Sequence, residues 1–538
     1  MSTNDQGQHR LDAIIIGAGF SGLYQVHCLR DRLGLSVLGL EMADGVGGTW
    51  YWNRYPGARC DSESHSYSYY FSESLLKDWT WSERYPGQAE ILQYLNFVAD
   101  RYDLKRSFRF NAKVVSASYN ESTKDWEVVC ADGERYRTRF LISAVGNLSS
   151  ANIPSIKGLE DFEGAWYHTG QWPHEGVDFT GLRVAVVGTG STGIQAIPVI
   201  ASQAKQLTVF QRTANYSIPA HNAALDEDFK TYCKTHPSEI REIMHATPNG
   251  HPFYISETTA LSVDDADRLA IYERAWAKGG LRFRSSFKDL LSSEEANKTA
   301  ADFIKEKIRH VVTDPRKAAL LSDIDHPFGA KRPPIDTNYF ETYNLEHVDL
   351  VDLRGDPIQS IVKDGIQTQK GFYPLDAIVF ATGFDAMTRP ILNLNLTGRA
   401  GQSLSKAWEA GPANYLGLQV PGFPNFFMVT GPGSPSVLTN MPVAIEQHVE
   451  WISECIDYMR ENRLQCIEAL EEASAQWMTE VNRAASATLL PKATHSWYLG
   501  ANIPGKPRMF MPYAGGMAHY RKLCGEIREK AYEGFAMH

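Results

Sequence analysis

The sequence predicts an α/β protein made of two doubly wound dinucleotide-binding domains with a helical insertion. Two units of strand, glycine turn, helix and strand carry that prediction, together with a long stretch between them and the C-terminal part where strand-like alternation fades. Parallel strands alternating with helices form such sheets, and each glycine turn sits where a dinucleotide binds.

In the first unit, residues 13–16 are a short, continuous apolar run, as expected of a parallel strand buried on both faces. Residues 21–32 carry helical spacing with Leu23, Val26 and Leu29 on one face, and residues 36–40 form the next strand. In the second unit, residues 184–187, 193–202 and 207–210 repeat strand, helix and strand. Residues 223–330 read as mostly helical, with amphipathic stretches at 266–277 and 300–311. Residues 358–366 and 374–380 return to β character and end at the glycine turn 381–385. A clear helix at 444–460 and a proline-containing tail complete the chain.

The 538 residues are 43% hydrophobic and 22% charged, which excludes a disordered or fibrous protein. With Lys plus Arg at 53 and Asp plus Glu at 63, the net charge of -10 argues against a general nucleic-acid binder. The seven cysteines form no CxxC pair, which argues against a disulfide scaffold, a cysteine zinc site and a dithiol redox centre; no metal is expected. The polar N-terminus, residues 1–12, has no apolar leader, and no run approaches the roughly 20 apolar residues of a membrane span. A cytoplasmic protein without membrane contact is expected.

The turn Gly17-Ala18-Gly19-Phe20-Ser21-Gly22 fits GxGxxG. Gly17 permits the turn, Gly19 lets backbone approach a pyrophosphate, and Gly22 allows helix and strand to touch. Free N–H groups at the helix start then face the phosphates. Gly188-Thr189-Gly190-Ser191-Thr192-Gly193 repeats the pattern. Glu41 stands 24 positions after Gly17, and Arg212 stands 24 positions after Gly188. A carboxylate accepts hydrogen bonds from a bare ribose and repels a 2′-phosphate; a guanidinium does the reverse. The first site should therefore take FAD or NAD and the second NADP, with Thr213 adding a hydroxyl. Two such sites in one chain suggest FAD with NADP(H), electrons passing from nicotinamide to flavin.

Phe162, Gly164, His168, Trp172 and Pro173 fall in the spacing FxGxxxHxxxWP, and this stretch resembles the fingerprint of type I Baeyer–Villiger monooxygenases. Gly47-Gly48-Thr49-Trp50, Tyr55-Pro56-Gly57 and Asp61 resemble that family's GGxWxxxxYPGxxxD signature, and residues 328–332, 431–436 and 497–502 extend the likeness over most of the chain. It is strongest to the cyclohexanone and phenylacetone monooxygenase branch.

The resemblance implies that a ketone, O2 and NADPH give an ester or lactone through a C4a-peroxyflavin. It implies an FAD domain from residues 1–150 and 386–538, an NADP domain from 151–222 and 331–385, and the helical subdomain 223–330. It assigns catalysis to Arg332, with Asp61 orienting it. Gly48, Thr49 and Trp50 join the FAD site, and Lys331 joins Arg212 and Thr213 on the 2′-phosphate. Trp497 closes over the nicotinamide end, and Ser436, Val437, Leu438 and Met441 line the ketone pocket. His168 and Trp172 are read as structural, and Asn147 is left outside the site. The alternative is a flavin-containing N- or S-oxidising monooxygenase, which shares both turns but lacks the Trp-Pro ending.

Overall fold

The computed structural model describes residues 10–538; most of the polar N-terminal segment considered above, residues 1–9, lies outside them. The first unit begins with β1 (Arg10–Ile16), α1 (Phe20–Val26) and β2 (Val37–Leu40). The helix expected over 21–32 is α-helical only through α1, after which His27–Arg32 widens into π turns. Beyond β2 lies β3 (Phe108–Arg109), and β4 (Val114–Asn120), β5 (Asp125–Cys130) and β6 (Arg135–Ser143) form an antiparallel meander. β1 lies between β2 and β6, parallel to both. Its apolar run explains that central place. Ala13 and Ile15 face one core, Ile14 and Ile16 face another, and all four are buried.

The second unit opens with β7 (Ala165–His168), β8 (Arg183–Val187), α2 (Ser191–Ala201) and β9 (Gln206–Gln211). The short strands β10 (Ile218–Pro219) and β11 (Ile335–Asp336) pair in parallel and pin together the two ends of the insertion. Between them run the helices Glu227–Thr235, Pro237–Ala246, α3 (Asp265–Lys278), α4 (Glu294–Val311) and Pro315–Ser322. β12 (Val348–Asp352) follows, then a three-stranded meander of β13 (Ile358–Val362), β14 (Gly365–Thr368) and β15 (Phe372–Pro374), then β16 (Ala377–Phe380). The stretch 358–366, read as one β segment, turns back on itself between β13 and β14. The second sheet runs β12-β9-β8-β16-β7, all parallel. In β8, Val184 and Val186 enter one core while Ala185 and Val187 enter another, repeating the arrangement of β1.

After β16 the chain returns to the first sheet, where β17 (Leu396–Thr397) pairs with β4 and β18 (Phe426–Met428) with β6. Helix α5 (Met441–Glu461) packs across α1. The two crossings between the units lie side by side and antiparallel. Asn152 N–H donates to the Gly383 carbonyl, Asp385 N–H to Ser150 and Met387 N–H to Asn147, each at 2.9 Å. Among the described residues no helix is long and apolar enough to cross a membrane.

Candidate active site

Each glycine turn is built by close approach of backbone. A Cβ on Gly22 would lie 1.8 Å from the Gly17 carbonyl oxygen, and one on Gly193 would lie 2.3 Å from that of Gly188. Helix and turn therefore meet where only glycine fits. In the first unit the second signature closes on this turn: a Cβ on Gly48, whose φ is +54°, would sit 2.8 Å from Gly19 Cα. Gly48 and Gly19 thus form a smooth backbone cradle. Thr49 opens a short helix beside it, and the buried Trp50 donates its Nε1–H to the Tyr67 hydroxyl at 3.1 Å. Phe20 is buried in α1 against Tyr67 and Tyr69.

At the strand ends the two units part. Glu41 is buried, and its carboxylate accepts from Ala18 N–H at 2.7 Å and Ala43 N–H at 2.8 Å. Burial pushes its pKa up against those two bonds. It braces the turn itself, and its oxygens retain lone pairs that could accept from a ribose. Arg212 is exposed and Lys331 half-buried, and among the described residues neither side chain makes a hydrogen bond or a close ion pair. Burial lowers the Lys331 pKa; the Asp325 carboxylate works against this and the Arg212 charge adds to it. An arginine and a lysine whose charges act on one another are a donor set that could take a phosphate. Thr189 donates its hydroxyl to the Thr213 carbonyl at 2.9 Å, fixing the chain beside Arg212. Gly190 and Ser191 are exposed at the start of α2, and Thr192 accepts from Thr169 at 3.2 Å.

Arg332 lies three residues before β11, at the exit of the insertion. Its Nε and Nη2 donate to the two oxygens of Asp61 at 2.5 and 2.8 Å, and its Nη1 donates to the carbonyls of Val437 and Thr439 at 3.1 and 3.2 Å. Burial disfavours its charge, but the Asp61 carboxylate more than offsets that, so the guanidinium is held above its ordinary pKa. Its side chain remains 22% exposed. One fixed cation thus ties the FAD-side signature to the loop before α5.

The flavin-binding monooxygenase-like family profile matches residues 11–223. A Baeyer–Villiger monooxygenase from Pseudooceanicola batsensis is 43% identical over 97% of this chain and 95% of its own. The chain belongs to the Baeyer–Villiger monooxygenase family. A cyclohexanone 1,2-monooxygenase from an Acinetobacter species is also 43% identical, over 97% of this chain and 96% of its own. A solved structure of an oxidized steroid monooxygenase bound to NADP superposes with a TM-score of 0.94 at 49% identity, covering 98% of this chain and 99% of that one.

In this Baeyer–Villiger monooxygenase the loop before α5 divides its work. Ser436 is wholly buried with a φ of +44°, and its hydroxyl accepts from Asn147 Nδ2 at 2.9 Å, so it faces Asn147. Val437 offers its carbonyl to Arg332, while Leu438 and Met441 are half-buried with side chains in the apolar cluster that includes Trp497. Three participants escape sequence reasoning: Asn147, the Thr439 carbonyl, and His251, a buried ring held down to about 3 by burial and by the Arg332 charge. None stands in a recognisable spacing; only the position of Asn147 in a glycine turn hinted at it.

His168 ends β7 beside the crossing. Its Nδ1 accepts from Gly170 N–H at 3.0 Å, Phe384 meets its ring edge-on, and burial lowers it to about 4. The half-buried Trp497 lies on a tail that is fastened to the same crossing. Lys506 Nζ donates to Asp385 and to the Ala386 carbonyl, both at 2.7 Å, and Asn502 donates to the Phe384 carbonyl at 2.8 Å.

Proposed function

We propose that this chain uses NADPH and O2 to insert one oxygen atom beside a ketone carbonyl, giving an ester or lactone, with water and NADP+ as co-products. FAD and NADP(H) are its cofactors, and reduced FAD supplies the activation of O2. The Gly17–Gly22 turn, Glu41 and the 48–50 segment would hold FAD. The Gly188–Gly193 turn would hold NADP(H), its 2′-phosphate between Arg212 and Lys331 with Thr213 beside it.

The observation that carries the reading is the Asp61–Arg332 pair. Arginine does not release its proton near neutral pH, so it stabilises negative charge on oxygen without quenching it. Asp61 fixes the plane of the guanidinium, so no reorganisation is needed when an oxyanion develops on the ketone oxygen. Oxidation of a soft nitrogen or sulfur forms no such oxyanion, which favours the ketone reading over N- or S-oxidation. Val437, Leu438 and Met441 supply apolar surface suited to an uncharged carbonyl. The Trp497 tail would exclude water from the nicotinamide end. Seven free thiols fit a reducing, cytoplasmic location.

The test is Arg332→Ala, assayed with a simple cyclic ketone. NADPH oxidation persists while ester formation falls by about 10²–10³-fold, the loss expected for one preorganised donor. Ester formation at the wild-type rate would remove Arg332 from the chemistry.

A further inference from the structure

We propose that Glu63 is a positioning residue for ester formation: it holds the segment that carries Asp61 and so fixes the aim of Arg332. This rests on the reading above, in which Arg332 serves the ketone step. It extends that reading to a carboxylate two residues beyond the end of the GGxWxxxxYPGxxxD signature.

Asp61, Ser62 and Glu63 form a short arch. At its feet Cys60 N–H donates to the Pro86 carbonyl at 3.1 Å, and Ser64 N–H donates to the Arg84 carbonyl at 2.7 Å. Backbone bonds thus hold the feet, and the two carboxylates hold the rest. Asp61 takes Arg332, at the exit of the insertion. Glu63 is buried and accepts four hydrogen bonds. Arg84 donates from Nε and Nη2 at 3.1 and 2.7 Å, and Arg282 donates from Nε and Nη2 at 2.9 and 3.0 Å. Burial disfavours the charge of Glu63, but Arg282 more than offsets that and holds the carboxyl down to about 2.

These contacts belong to a closed ring. Arg282 lies in the one-and-a-half-turn segment Gly280–Ser285 of the insertion. A Cβ on Gly280 would lie 1.8 Å from the Tyr85 hydroxyl, so this segment presses on the strip 84–86 that carries the arch. Next to Arg282, Phe283 is fully buried and meets Phe328 edge-on at 5.5 Å. Asn297 of α4 grips Phe328 twice: its Nδ2 donates to the Phe328 carbonyl at 2.7 Å, and its Oδ1 accepts from the Phe328 N–H at 2.9 Å. Four residues further on stands Arg332. From Glu63 the path runs through Arg282, Phe283, Phe328 and Arg332 to Asp61, and the arch closes it.

Charge makes Glu63 the link on which the ring depends. It serves two half-buried guanidiniums, and among the described residues Arg282 makes no other hydrogen bond. Without the carboxylate, Arg84 and Arg282 would be left as like charges around an empty place. Removing one partner from such a cluster costs more than the pair contributes, because the remaining charges stay desolvated. The arch would shift to relieve them, and Asp61 would turn with it. A guanidinium displaced by about an ångström no longer meets an oxyanion that develops at one fixed point. Electrons from NADPH would still reach O2. They would leave with two protons as hydrogen peroxide, instead of one oxygen entering the ketone and the other leaving as water.

The experiment uses FAD-loaded enzyme, NADPH and cyclohexanone, with phenylacetone in its place if wild type does not convert cyclohexanone. Ester or lactone and hydrogen peroxide are counted per NADPH oxidised. Glu63→Gln keeps the shape of the side chain and removes its charge. It lowers the ester yield per NADPH by about 10–100-fold, the scale of a small misplacement at a reacting centre. The deficit appears as hydrogen peroxide, while FAD absorbance and the KM for NADPH stay as in wild type. Glu83→Gln, which cuts the neighbouring Arg59–Glu83 pair at 3.2 Å outside the arch, leaves the yield unchanged. Adding Glu63→Gln to Arg332→Ala causes no further loss, since Glu63 acts through Arg332. Losses that add in the double variant, or an unchanged yield in Glu63→Gln, overturn the proposal while the reaction stands. If Glu63→Gln does not retain FAD, Arg282→Met decides: it frees one side of Glu63 and lowers the yield by about tenfold, and an unchanged yield overturns the proposal. Ester formation at the wild-type rate in Arg332→Ala, or conversion of neither ketone by wild type, removes the reading beneath the proposal and the proposal with it.

Discussion

At Gly17 and Gly188 the two nucleotide-binding units meet the same steric problem in the same way. An added Cβ would lie 2.5 Å from the Ala144 carbonyl oxygen in one and 2.5 Å from that of Ala381 in the other. At the ends of β2 and β9 they diverge. Glu41 is sealed in and spends its oxygens on the turn that it follows, whereas Arg212 is exposed with Lys331 close by. The first unit is braced from within; the second carries two cations whose charges act on one another, with Asp325 acting on Lys331 as well. The backbone geometry of the two turns is the same; the side-chain charge at the strand end is what differs, and on the proposed reading that charge would select the nucleotide.

The sharpest way to break this comparison is to fill each turn separately. Gly22→Ala forces a Cβ onto a carbonyl oxygen, costing about 3 kcal/mol or more, on the order of a hundredfold in affinity. The purified protein should lose its yellow FAD absorbance. Gly193→Ala should stay yellow yet fail to be reduced by NADPH in stopped flow. Loss of FAD in both variants would mean that the units are not independent.

The selection by charge is tested next, at smaller scale. Arg212→Gln should lower the ratio of kcat/KM for NADPH over NADH by about 10–100-fold, the worth of one charge-assisted bond. An unchanged ratio would hand the 2′-phosphate to Lys331 alone.

Residues 13–16 and 184–187 were legible as buried parallel strands because a strand covered on both faces is apolar throughout. The strand-end charges were legible because equal spacing exposed them. Asn147 on Ser436, Thr439 on Arg332 and Glu63 on Arg282 were not. Each joins segments far apart in the chain through backbone carbonyls or single polar side chains, and no local period marks such contacts. The π turns after Val26 were hidden for a related reason, since α and π spacing put nearly the same residues inward over six positions.

The smallest expected effect concerns pH, and it has opposite sign in two buried groups. Glu446 of α5 accepts from Tyr70 and Phe71 N–H at 2.6 and 3.0 Å; burial, then the Glu450 charge, raises it from 4.5 to about 7. Its folded form holds the proton longer than the unfolded chain, so its contribution is complete below 4.5 and is lost as pH rises toward 7. His168 is lowered from 6.5 to about 4, so its contribution is present above 6.5 and is lost as pH falls through 4. Glu446→Gln should flatten the decline in Tm over the first window, a difference on the order of 1–3 kcal/mol. An identical Tm profile would show that the carboxyl is not desolvated.

The fastening of Lys506 and Asn502 to Phe384, Asp385 and Ala386 joins the tail to one of the two crossings by three hydrogen bonds. A displacement of the tail would strain that crossing, and a displacement of the crossing would strain the tail. Coupling of this kind is reciprocal. Anything that settles the tail in place would also settle the crossing, without touching it directly.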